Sequence, residues 1–273
     1  MQGCAFNDDP EMPETWCREC RLRHDPQSPP IEEREVPIVQ VAHETTSEEL
    51  KGGLFMARVI GYNIFSFAHR GVIFVENIDM MADEAAEALA DVLHRGENIV
   101  SNLEYTERHS ARFPAIGTLS RQSAEINPLL LEQATMVIKA DYHDWLEMHL
   151  LAYEYEQDFG GNPDGIVQAM SVAKETAKIQ LANARMILEN VQVGDSEMDL
   201  ITRICLELGA SGNSTEMKIN GVARTLASYD GLERIGQDHV LQAAKLVLPL
   251  SLLVEEEAVE ELEAEIAEGT EVA

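Results

Sequence analysis

The sequence predicts an α/β part followed by an all-helical part, and three observations carry that reading. Val72-Ile73-Phe74-Val75 is an unbroken apolar run, which suits a strand buried on both faces of a sheet. Asp83–Arg95 is a strong helix, with Ala85, Leu89, Val92 and Leu93 on one face and Gly96 as its stop. From Asp144 onward the pattern turns helical, with apolar residues at 166, 170, 173, 177, 181, 184 and 188.

Composition narrows the function. A chain of 273 residues with 45% hydrophobic residues can form one or two domains with real cores. Its 49 acidic residues against 20 basic ones give a formal charge of −29, which argues against nucleic-acid and anionic-membrane partners. No apolar run approaches the length of a membrane helix, and the acidic, Pro-rich start is unlike a secretory signal. The expected setting is the cytoplasm, with high salt one fit to the charge.

Residues 1–35 are rich in Pro, Asp and Glu and read as a loop region. Within it, Cys17-Arg18-Glu19-Cys20, with Cys4 and His24 nearby, forms a candidate zinc set; the alternative is a reduced, loosely ordered segment. Four cysteines, counting Cys205, are too few for a disulfide scaffold.

Val36–Val41 is strand-like, with Pro37 near its start. Thr46 and Ser47, followed by Glu48 and Glu49, signal a helix start within Thr45–Ala57, weakened by Gly52-Gly53. Asn98–Arg108 reads as a hairpin, Phe113–Leu119 as a buried strand and Met136–Ala140 as a further strand. A short helix is expected from Leu129. Asp199–Leu208, Ala223–Tyr229 and Asp238–Leu248 complete the helical part. Val254–Ala267 is a helix-prone acidic tail, read either as solvated chain or as a docking helix.

The central run ends in Glu76-Asn77, at the carboxyl end of a strand, where open α/β folds bind ligands. It resembles a Walker B segment, whose usual Asp-Glu ending supports magnesium on a nucleotide and activates water. Ala68-His69-Arg70-Gly71-Val72 leads into it, and Arg108-His109-Ser110-Ala111-Arg112-Phe113 and Ile116-Gly117-Thr118 follow in order. Together with Thr46-Ser47-Glu48…Gly52-x-Leu54 and the Cys4–Cys20 loop, they resemble the ATPase subunit family of magnesium and cobalt chelatases, which are AAA+ proteins. The resemblance covers Cys4 to Pro249. It implies a Cys/Pro-rich loop region at 1–35, an incomplete AAA+ parallel-sheet core at 36–142, a helical lid at 143–250 and an acidic tail at 251–273. It also suggests a fourth Cys near the start, about where Asp8 stands.

The departures bear on activity. Asn77 replaces the water-activating Glu, and an amide is no general base. Ser120 stands for the sensor 1 Asn and Gln133 for the arginine finger, a group worth about 10³–10⁵ in rate. The sensor 2 Arg aligns with Gly221, one turn before Arg224. No Gly-Lys pair of a phosphate loop occurs in the 273 residues. The chain is therefore expected to begin after that loop, leaving a gap in the sheet and a bare apolar face. The resemblance therefore implies Glu76, Asn77, Ser120, Gln133 and Arg224 as a degenerate nucleotide and magnesium site, with weak ATP binding at most. Three functions stay open: a non-hydrolysing member of a chelatase ring in tetrapyrrole metal insertion, half of a split motor whose partner chain supplies the phosphate loop, or a stand-alone adaptor or remnant. Other chelatase subunits or further copies of this chain are the implied partners.

Overall fold

The computed structural model describes residues 1–52, 63–101, 106–120, 126–138, 142–207 and 213–248. The chain divides into two compact units, Met1–Ala134 and Thr135–Ala273. The expected acidic tail lies outside the described residues.

The first unit opens with structure where the sequence reads as loop. A 3-10 turn at Pro13–Thr15 leads into α1, Arg18–Arg23. Trp16 between them is fully buried, and its indole N–H donates to the Asp9 carbonyl at 2.6 Å. Trp16 is buried with Met1, Cys4, Cys17 and Cys20, a small core that orders a segment whose composition is otherwise polar.

Strand β1 (Ile38–Val41) precedes α2 (Ser47–Lys51). Thr46 caps α2 in a full capping box: its hydroxyl accepts from the Glu49 N–H, and the Glu49 carboxylate accepts from the Thr46 N–H. The expected extension of α2 beyond Gly52 lies outside the described residues. Helix α3 (Ile64–Ala68) leads into β2 (Val72–Val75). A 3-10 turn at Ile78–Met80 follows, then α4 (Asp83–Arg95). Gly96 closes α4 at φ +68°, a left-handed position that suits glycine. Strands β3 (Glu97–Ser101) and β4 (Thr106–Ser110) pair antiparallel as the expected hairpin. Strand β5 (Ala115–Gly117) and α5 (Pro128–Gln133) end the unit.

The parallel sheet has the order β1-β2-β5. Its register places Val39 beside Ile73 and Val41 beside Val75. This face packs with Leu50, Phe65, Leu89 and Val92 in one core. Gly71 sets the entry to β2, because a Cβ there would run into the carbonyl and ring of Pro37.

Several expectations are corrected. The strand expected as buried at Phe113–Leu119 is the three-residue β5, half-buried to exposed, because it edges the open sheet face. Strand β2 is fully buried on one face only: Ile73 and Val75 are covered, while Val72 and Phe74 are half-buried. Their register neighbours Ile38 and Ile116 are 72% and 54% exposed, because no described element covers that face. Nor does Met136–Ala140 form a strand within its described part, residues 136–138. Val137 N–H instead donates to the Leu246 carbonyl at 2.9 Å. Apolar, β-branched residues gave a strand-like signal there, and a helix-end carbonyl lacking an intrahelical partner took up the backbone donor.

The second unit is helical: α6 (Tyr142–Gly161), α7 (Pro163–Leu188), α8 (Asp195–Glu207), α9 (Asn213–Tyr229) and α10 (Gln237–Val247). Its core joins Ile201 and Cys205 of α8, Ile219 and Ala223 of α9, and Val240 and Ala244 of α10. The regular apolar spacing of α7 predicts a covered stripe, but only Ala184 on that stripe is fully buried; Met170 and Leu181 are 62% and 51% exposed. Among the described residues no helix is long and apolar enough to cross a membrane.

Candidate functional site

The loop after β2 holds two of the residues expected at a nucleotide site, Glu76 and Asn77. Glu76 is exposed, and its N–H extends the β1–β2 ladder by donating to the Val41 carbonyl at 3.2 Å. Asn77 adopts the left-handed conformation, φ 52° and ψ 57°. Asparagine tolerates that region better than most side chains. Its N–H donates to Thr118 Oγ1 at 3.0 Å, while Thr118 N–H donates to the Val75 carbonyl at 3.0 Å.

Ser120 is engaged by a carboxylate the sequence reading passed over. Asp79 accepts from the Ser120 N–H at 2.8 Å and, through its other oxygen, from the Ser120 hydroxyl. The pair ties the loop after β5 to the 3-10 turn after β2. Gln133 is the half-buried last residue of α5. Arg224 belongs to the second unit, where its Nη2 donates to the Leu188 carbonyl at 3.0 Å. Leu188 ends α7, so the guanidinium serves a helix C-terminus, a favourable place for a cation. Its Nε is buried with no hydrogen-bond partner. Among the described residues, no group of His, Cys, Asp or Glu near Glu76 gathers as a metal cluster.

The two histidine-bearing motifs meet each other. His69 Nδ1 accepts from the Arg112 N–H at 3.0 Å, and Arg70 N–H donates to the Arg112 carbonyl at 2.8 Å. His109 Nε2 is bonded to Ser66 Oγ at 2.6 Å. Asn98 beside it donates to the Lys51 carbonyl at 2.8 Å. Both histidines are buried, and desolvation lowers each from 6.5 to about 4. They are neutral at pH 7 and hold segments together.

The N-terminal segment docks onto this joint. Asn7 Nδ2 donates to the His69 carbonyl at 3.0 Å, Ser110 Oγ to the Thr15 carbonyl at 3.2 Å, and Phe6 lies 4.8 Å from the His109 ring. Arg70 pairs with Asp9 at 3.5 Å.

Within that segment, Cys4, Asp8, Cys17 and Cys20 are all buried, and their ligand atoms lie within 4.8 Å of one another. The cysteines are free thiols. Asp8 Oδ2 accepts from the Cys17 N–H at 2.9 Å, and Asp8 Oδ1 has no partner. A hydrogen bond with Cys17 lowers Cys4 to about 6, and the same bond raises Cys17. Burial pushes Cys20 up to about 12. The structure leaves His24 outside the group. It lies four positions after Cys20, but α1 ends at Arg23, and the extended backbone of His24 (φ −123°, ψ 145°) takes it off the helical face. Asp8, close in space and not in helical spacing, completes the set instead.

Comparison with known proteins adds the relationship. The family described as AAA lid domain matches residues 198–268. The chain is similar to the magnesium-chelatase 38 kDa subunit of Acidiphilium rubrum, 25% identical over 255 residues, which are 91% of this chain and 74% of that protein. It is 22% identical over 256 residues to the magnesium-chelatase subunit ChlI homolog of Methanocaldococcus jannaschii, covering 91% and 70% of the two chains. With the magnesium-chelatase subunit ChlI of Mesostigma viride it shares 26% over 252 residues, or 89% and 70%.

Proposed function

We propose, for a chain that belongs with the magnesium-chelatase subunits of the AAA+ family, that it is a non-hydrolysing subunit with a structural or regulatory part in a chelatase complex acting in tetrapyrrole metal insertion. The observation that carries this reading is Asn77. It occupies the position after Glu76 where hydrolysis needs a general base, and its backbone sits in a left-handed conformation that suits asparagine better than glutamate. The Ser120 hydroxyl, spent on Asp79, supports the same reading. So does Arg224, whose guanidinium is bonded to the end of α7.

The purified chain is expected to show no magnesium-dependent ATP turnover above background, and nucleotide binding is expected to be weak. Turnover that disappears in Glu76→Ala would overturn the proposal.

One observation favours a second reading, in which a partner chain brings the phosphate loop and the two together form a motor. The half-open sheet face at Ile38, Val72, Phe74 and Ile116 would receive the partner's elements, and the outer side of β5 would accept an added strand. Here the expected result is ATP turnover only when both chains are mixed, lost when Ile116→Glu places a charge on that face.

A further inference from the structure

We propose that Cys4, Asp8, Cys17 and Cys20 bind one zinc ion, and that this ion locks the N-terminal segment onto the joint made by His69, Ser110 and Arg112. The inference goes beyond the chelatase reading and does not depend on it.

Three features of the cluster point to a metal. First, the set is preassembled from two elements. Cys17 is the N-cap of α1 and Cys20 lies in the same short helix, while Cys4 and Asp8 come from the irregular chain before the Pro13–Thr15 turn. Ligand atoms within 4.8 Å of one another need only small side-chain rotations to reach a tetrahedral site. Zinc–sulfur bonds of about 2.3 Å set sulfurs about 3.8 Å apart in that geometry. A polynuclear iron–sulfur core would need more room than this.

Second, Asp8 is 1% exposed, and its Oδ1 has no hydrogen-bond partner. The nearby Met1 ammonium donates to the Asp8 main-chain carbonyl at 3.0 Å, not to that oxygen. A buried carboxylate is costly unless it is paired or coordinates a metal. Without an ion, the Asp8 carboxylate has only the weak S–H donors of Cys17 and Cys20 beside the one N–H it accepts from.

Third, the donor chemistry selects the ion. Three thiolates and one carboxylate suit zinc, because soft sulfur ligands disfavour magnesium and calcium. The ordinary alternative is that the cysteines merely fill space, as buried free Cys often does. That alternative leaves a buried carboxylate held by one N–H and weak thiol donors alone.

A zinc ion here would act through docking. Phe6 and Asn7 lie between Cys4 and Asp8, Asp9 follows Asp8, and Thr15 lies two residues before Cys17; these residues touch His109, His69, Arg70 and Ser110 in turn. Fixing Cys4, Asp8 and α1 about one centre therefore fixes the contact surface.

The test uses the full chain, purified reduced and without chelator. Elemental analysis is expected to give one zinc per chain. Replacing zinc by cobalt should give the intense visible bands of a tetrahedral thiolate site. Cys17→Ser should bring zinc close to zero, Asp8→Ala should weaken affinity at least tenfold, and Asp8→Cys should keep full occupancy. His24→Ala and Cys205→Ser should leave the stoichiometry at one. Should the Cys17 variant not fold, removal of zinc from the intact chain is the second measurement: it should expose Trp16, shift its emission to the red and speed alkylation of the cluster thiols. An absence of zinc together with no cobalt bands on titration would overturn the proposal, as would iron and sulfide in place of zinc. An Asp8→Ala variant with unchanged affinity would remove Asp8 from the ligand set.

Discussion

Lowering the pH from 7 to 5 should destabilise the first unit through His69 and His109. Both are held near 4 in the folded chain by burial, against 6.5 in an unfolded one. Between those values the unfolded chain binds more protons, so stability falls as pH falls from 6.5 towards 4 and levels off outside that window. For one histidine the loss between pH 7 and 5 is about 2 kcal/mol, and about 4 kcal/mol for the pair. Domains have roughly 5–15 kcal/mol in total, so the effect is large. The charges near His69 act in opposite directions: Asp8 and Asp9 favour its protonation, Arg70 and Arg112 oppose it. His109 faces His69, which opposes protonation, and Asp8, which favours it. The Cys4 thiol, lowered to about 6, loses its own contribution as pH drops through that value, and so must be separated. The assay is urea denaturation followed by Trp16 fluorescence in a Trp145→Phe background. The loss from pH 7 to 5 is compared between that protein and its His109→Asn variant, which should lose about 2 kcal/mol less. Equal losses in the two proteins would refute the assignment of His109 as a buried neutral group.

Two further outcomes follow from single contacts. Gly71→Ala should cost about 1–3 kcal/mol, because the new methyl group meets the Pro37 backbone and cannot be relieved by a side-chain rotation; the same fluorescence titration reads it. Arg224→Met should cost the second unit about 1 kcal/mol, a charge-assisted hydrogen bond partly offset by removing the unpartnered Nε, and should leave nucleotide affinity unchanged. A drop in nucleotide binding would return Arg224 to a sensor role.

Local signals made much of the fold legible. Helix α4 repeats its apolar residues at helical spacing and stops at a glycine that takes a left-handed turn, so both its body and its end are written in adjacent residues. The β3–β4 hairpin and the cap at Thr46 are likewise short-range. The site was legible only where residue identity decides the chemistry, as at Asn77 or the Cys17–Cys20 pair. Asp79 escaped because its partner is Ser120, 41 residues away. Asp8 was legible only as the position of a missing cysteine, since no spacing rule connects it to Cys17. His24 was named only for its nearness in sequence, and the helix of Cys20 ends before reaching it. Val137 shows tertiary context overriding local preference, as its N–H is used by the end of α10 and not by a sheet.

The docking of the N-terminal segment also sets an order of events during synthesis. Asn7 waits for His69, 62 residues later, and Thr15 waits for Ser110, 95 residues later. At roughly 5–20 residues per second, the interval between the emergence of Cys20 and that of Arg112 is on the order of 5–20 seconds. Throughout that time Cys4, Cys17 and Cys20 have only the segment's own small cluster, with Met1, Phe6 and Trp16, to lie against. An ion taken up early would shield them from oxidation and pre-form the surface that the later strands close upon. Without it, the segment must find its place by long-range search, the slow kind of contact formation.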